Sequence, residues 1–139
     1  MNLRLKKAII IISVYLGSGF LAYILAPLGG MFHRLFWESR GCLFIAPCDI
    51  GASLEGFIYL FIYLLAVFSF FALSKKIAWK IYILGTSMFW AFSIYMIFDS
   101  HKLNRDEYIG ILIIMLCAFG LGYLSAMGIK RVLKSIKLR

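Results

Sequence analysis

Charge is what this 139-residue chain lacks over most of its length. Four stretches contain no charged residue: 8–32, 56–74, 81–98 and 108–129, of 25, 19, 18 and 22 residues. A helix facing water needs polar residues recurring at the 3.6-residue period on its outer face. These stretches do not have them, so they are not surface helices of a soluble domain. Acidic residues are scarce as well, six against fifteen Lys and Arg. None of the six lies at mid-depth in an apolar run, which argues against proton- or ion-coupled transport built on a carboxylate buried in a span. The motifs G-x-S-x-G, H-E-x-x-H, G-x-G-x-x-G and the P-loop are missing. No nucleophile–base set can be assembled, so no catalytic residue is assigned. There is no repeat of fixed period and no low-complexity segment.

What is present is apolar. Hydrophobic residues make up 63% of the chain and the mean hydropathy is +0.94, inside the membrane class. Each uncharged run is about the length a helix needs to cross a hydrocarbon core of roughly 30 Å. In 56–98, residues such as Phe57, Ile58, Leu60, Phe61, Ile62, Leu64 and Leu65 cover every direction of the helix. The stretch reads as a transmembrane hairpin hinged on Lys75, Lys76 and Lys80. The expected fold class is an all-α integral membrane protein, a single domain over 1–139 with four transmembrane helices. The spans fall at about 8–28, 55–74, 79–98 and 108–129, with outer loops at 31–54 and 99–107. The first span is expected to end at Pro27 and Gly29–Gly30, because proline has no N–H for the helix. A basic start followed by an apolar run also has the outline of a signal peptide. The run is too long for a signal core and Pro27 after Ala26 spoils the cleavage site, so the segment is expected to be retained.

The basic residues set the orientation. Four spans put Arg4, Lys6 and Lys7, then Lys75, Lys76 and Lys80, then Lys130, Arg131, Lys134, Lys137 and Arg139 on one side, eleven of the fifteen. Arg34, Arg40, Lys102 and Arg105 fall on the other, with all six acidic residues. By the positive-inside rule both termini are expected in the cytoplasm, and the two loops outside. The net charge of +9 is thus explained by spans and their flanks, and no nucleic-acid partner is expected. The expected partners are the lipid bilayer and another membrane protein, in a bacterial inner membrane.

Cys42 and Cys48 share the first outer loop, where an oxidising compartment favours a disulfide, with Gly41 and Pro47 shaping the turn. Four helices, inward termini and an outer-loop cysteine pair resemble the DsbB family of membrane thiol oxidases. The resemblance implies thiol–disulfide exchange, and the redox reading built on Cys42 and Cys48 sets a quinone near Trp37. The chain departs from that family in its C-x5-C spacing and in having no cysteine in 99–107, and Cys117 lies mid-span, so no family residue carries over. The two histidines, His33 and His101, are at loop edges and are read as interfacial, and no metal or cofactor is expected. Two rows of small residues recur every fourth position: Ser18, Ala22 and Ala26 in the first span, and Ala118, Gly122 and Ala126 in the fourth. Such rows let helices approach closely, either span one against span four or against another membrane protein.

The first outer loop is amphipathic, with Phe32, Leu35, Phe36 and Trp37 beside Arg34, Glu38 and Arg40. Aromatic and Arg residues anchor many interfaces, so Arg34, Phe36, Trp37 and Arg40 are the candidate partner-binding residues. The functional expectation is a small non-enzymatic inner-membrane protein that binds another membrane protein. It would be an accessory subunit or an immunity-type protein against a membrane-inserting toxin. Two alternatives stand beside it: a periplasm-facing thiol–disulfide or quinone-linked redox protein, and a small carrier or flippase of lipid-linked material.

Overall fold

The computed structural model describes residues 3–36, 46–99 and 105–137, and over these the chain forms four helices and no strand. They are α1 (Leu3–Phe36), α2 (Ala46–Ala72), α3 (Lys75–Asp99) and α4 (Arg105–Lys137). Three contain segments long and apolar enough to cross a membrane: Leu5–Ala26 in α1, Lys75–Tyr95 in α3 and Ile109–Lys137 in α4. The apolar Gly56–Ala72 of α2 is shorter.

Several boundaries differ from the sequence expectation. First, α1 does not stop at Pro27 but runs on through Gly29 and Gly30 to Phe36, a helix of about 51 Å. Pro27 removes the donor for the Tyr23 carbonyl and costs about 3 kcal/mol. Proline is tolerated in membrane helices, and here one lost backbone bond does not end the helix. Second, α2 begins at Ala46, so much of the stretch expected as an outer loop over 31–54 is helical. The hinge is displaced as well. The α2–α3 connection is Leu73–Ser74, and Lys75, Lys76 and Lys80 lie in the first two turns of α3. Ser74 is the residue before α3, where serine is favoured, and its carbonyl accepts the Ala78 N–H at 2.9 Å. Lysines at a helix N-terminus oppose the dipole by about 0.3–1 kcal/mol. Placing them at a hydrocarbon midplane would cost about 2.5–3.5 kcal/mol each, and that greater penalty decides their position.

The helix α2 is the centre of the bundle: α1, α3 and α4 all pack on it, and α3 also packs on α4. Ile62, Leu65, Ala66, Ser69 and Phe70 of α2 are buried. Its neighbours in the chain run opposite to it. Phe61 meets Phe89 and Phe70 meets Trp79 between α2 and α3. Gly17 lies against Phe68 and Gly19 against Phe61 between α1 and α2. The start of α1 and the Leu73–Ser74 turn therefore share one end of the bundle. The middle of α4 lies across both of its partners. Met115 meets Ser93 and Phe119 meets Tyr82 on α3, while Tyr123 meets Phe70 and Ser125 meets Tyr63 on α2.

One contact ties α1 to α3. The Tyr15 hydroxyl donates to the Ile81 carbonyl at 2.6 Å, through a gap that Gly85 leaves open. A Cβ at Gly85 would fall 2.6 Å from the Tyr15 ring. Between membrane helices such a bond contributes about 0.6 kcal/mol on average and at most about 1.7. Tyr15→Phe is expected to lower unfolding stability in bicelles by about 0.5–1.5 kcal/mol. Tyr23→Phe, at a position 76% exposed, is expected to be neutral. Denaturant titration of the two variants measures the difference.

Candidate functional site

The small-residue rows are the sequence-derived candidates that the described structure places in full. Ser18, Ala22 and Ala26 are buried in α1, and the Ser18 hydroxyl donates to the Val14 carbonyl at 2.7 Å. In a helix, that bond disposes of a polar group that hydrocarbon would penalise. In α4, Ala126 is buried, Gly122 is enclosed and Ala118 is half-buried. A Cβ at Gly122 would lie 2.6 Å from the Tyr63 carbonyl oxygen and 2.9 Å from the Ala66 Cβ. The row on α4 thus rests on α2. The bundle does not pair spans one and four extensively; each is laid on the helix between them.

Around that contact is an aromatic cluster that sequence reasoning missed. Phe70 packs edge-on against Trp79 at 5.2 Å and Tyr123 at 5.0 Å, and Tyr82 lies 4.6 Å from Phe119. Trp79 and Phe119 close the ring of contacts at 5.5 Å. Offset and edge-to-face pairs add about 0.5–1.5 kcal/mol beyond burial. The signal was available in the spacing, since Trp79–Tyr82 and Phe119–Tyr123 are i,i+3 and i,i+4 pairs, each on one helix face. Polar groups are matched across helices too. Tyr63 and Ser125 share a hydrogen bond at 3.2 Å, and the Ser93 hydroxyl donates to the Met115 sulfur at 3.4 Å.

Two further glycines of α4, Gly120 and Gly128, face away from the bundle. Gly120 and Gly128 have no neighbour within 4 Å of where a Cβ would stand. Leu124, 65% exposed, and the exposed Cys117 share that face. Glycine in a helix interior costs about 0.5–1 kcal/mol relative to alanine, and nothing within the bundle requires it at either position.

The other sequence candidates fall on residues or side chains outside the described part of the structure. Trp37, Arg40 and Cys42 lie outside the described residues, as does His101. Arg34 and Phe36 are in the last turn of α1, with His33 just before, and Cys48 is in the first turn of α2, but their side chains are not among those described. The expected Cys42–Cys48 disulfide and the partner-binding set thus stay as the sequence leaves them. Among the described residues no three His, Cys, Asp or Glu side chains gather around a point.

No protein-family model matches the chain, and neither a curated protein nor a solved structure matches it. The class reached from the fold is an all-helical protein with three membrane-length helices arranged about a fourth.

The two glycine environments give opposite expectations. Gly122→Ala is expected to destabilise the bundle by about 1–3 kcal/mol, because the contact is with backbone and cannot relax cheaply. Gly120→Ala and Gly128→Ala are expected to leave stability unchanged or raise it slightly. Unfolding of the three variants in the same detergent tests this, and equal losses at all three positions would contradict it.

Proposed function

We propose that the protein is a small non-enzymatic inner-membrane protein that crosses the bilayer four times, has both termini in the cytoplasm, and binds another membrane protein. The accessory-subunit and immunity-type roles both fit this description. The observation that carries the reading is the outward face of α4. Gly120 and Gly128 leave the backbone bare at two places, two turns apart, on a helical face that the described chain does not cover. Without a hydrophobic driving force between helices, bare backbone is what permits the close van der Waals approach of a second helix. The apolar surroundings agree with a partner inside the membrane. Leu116 and Leu121 flank the two glycines and Leu124 stands between them, and all three are more than half exposed. The stretch from the end of α1 onward, with Arg34 and Phe36 in its last turn and Trp37 and Arg40 beyond, is assigned the specificity of the interaction, on the grounds of its aromatic and Arg content.

The test is affinity purification of tagged protein from its native membrane in mild detergent, at matched expression and insertion. A stoichiometric protein partner is expected. Its yield should fall for Gly120→Leu and Gly128→Leu, and for Trp37→Ala and Arg40→Ala, and hold for Lys134→Ala and Lys137→Ala. Reporter fusions after Lys76 and Arg139 should read cytoplasm, and fusions after Asp49 and Lys102 the outer side. Quinone or colour in place of a protein partner would favour the redox alternative, and lipid-linked sugar the carrier.

A further inference from the structure

The helix α4 is longer than its apolar run. The uncharged stretch ends at Ile129, yet the helix continues to Lys137, adding about 12 Å. This extension has two faces. Ile129, Val132, Leu133 and Ile136 repeat at i, i+3, i+4 and i+7 and are 43%, 59%, 44% and 64% exposed. Lys130, Arg131, Lys134 and Lys137 occupy the remaining arc and are exposed as well. Lys130, Lys134 and Lys137 border a shallow open depression with Leu133. Neither face is covered by the described part of the bundle.

The charge of the extension is of one sign. Residues 108–139 contain no acidic side chain, and the nearest one along α4 is Glu107, about 33 Å before Ile129. The other exposed lysines flank the other spans: Lys6 and Lys7 at the start of α1, and Lys75, Lys76 and Lys80 at the start of α3. In the proposed topology all of them lie on the same side of the membrane as the extension, and the acidic residues lie on the opposite side. The helix itself therefore supplies no anion for its lysine row. A helix with an apolar stripe beside such a row, emerging from a membrane span, has the chemistry of an interfacial segment that takes anionic headgroups.

We propose that residues 129–137 of α4 are a seat for anionic glycerophospholipid. The headgroup phosphate is held by Lys130, Lys134 and Lys137, and the acyl chains lie along Ile129, Leu133 and Ile136. The occupant is bilayer lipid because the apolar stripe and the lysine row are continuous with a membrane-length helix. A soluble anion would use the lysines and leave the stripe bare. The inference rests on the membrane-embedded reading of α4 but not on the identity, or existence, of a protein partner.

The test uses the full chain, purified in mild detergent from bilayers of phosphatidylcholine mixed with phosphatidylglycerol, with the bound lipid quantified. Each lysine near an anionic surface contributes about a fivefold preference. The triple variant Lys130→Gln, Lys134→Gln, Lys137→Gln is expected to lose phosphatidylglycerol enrichment by at least about tenfold, with phosphatidylcholine unchanged. The triple variant with Arg at these positions should keep the enrichment. The triple variant Lys75→Gln, Lys76→Gln, Lys80→Gln removes the same amount of charge from the start of α3 and should lose much less. Equal losses in the two Gln triples would show diffuse surface attraction and overturn the seat. Should the first variant fail to insert, the Lys75→Gln, Lys76→Gln, Lys80→Gln variant still decides: phosphatidylglycerol should raise its Tm about as much as that of the wild type, and salt should weaken the gain. No rise in Tm would also overturn the proposal. Partner capture, measured separately, stands or falls on its own.

Discussion

Inside a hydrocarbon solvent, apolarity cannot sort the inside of a bundle from its outside, because lipid tails are as apolar as leucine. Size and backbone approach do the sorting. The residues with no exposure in this protein include Ala22, Ala66, Ala78, Ala126, Ser18, Ser69 and Thr86. Many large aliphatic and aromatic side chains are turned outward instead: Leu16, Phe20, Leu84, Met88, Phe98, Leu121 and Leu124 are each at least 60% exposed. A soluble monomer with so much contiguous apolar surface would aggregate. In a membrane the same pattern is the low-energy one, since small residues bring backbones together and large ones meet lipid.

The central position of α2 follows from this sorting. Ala66 admits Gly122, and the Tyr63 carbonyl sits where a Cβ on α4 would otherwise be. Leu65 lies against Gly85 of α3, and Phe61 and Phe68 lie against Gly19 and Gly17 of α1. On each flank a glycine of an outer helix accepts a group from α2. Several polar side chains inside are consumed locally or across helices: Ser18 and Thr86 bond carbonyls one turn back, and Tyr15 reaches across to Ile81. These bonds are individually small, so the packing around Gly122 and Gly85 carries more of the specificity than any hydrogen bond.

How much of this was legible in the sequence depends on which physical rule was decisive. The existence of four helices followed from four runs without charge, and three of the helices are long and apolar enough to cross a membrane. The small rows at Ser18–Ala26 and Ala118–Ala126 were visible, but not the helix that the α4 row rests on, because α2 carries no matching row of its own. Pro27 does not end α1, since proline removes a single backbone bond and the helix runs on past it. The outward glycines Gly120 and Gly128 could not be told from the inward Gly122 by composition; only their surroundings separate them. The chemistry-bearing stretch from Trp37 to Cys42 lies outside the described residues, so its role rests on residue type alone.

The arrangement depends above all on α2 being shielded by α1, α3 and α4, which show their large side chains to lipid. Photolabelling from a carbene-bearing acyl chain, with the labelled residues mapped by mass spectrometry, tests this directly. Label is expected on Leu16, Leu84, Met88 and Leu121, with little or none on Ile62, Leu65 and Phe70. Label on Ile62, Leu65 and Phe70 at the level found on the outer helices would contradict it.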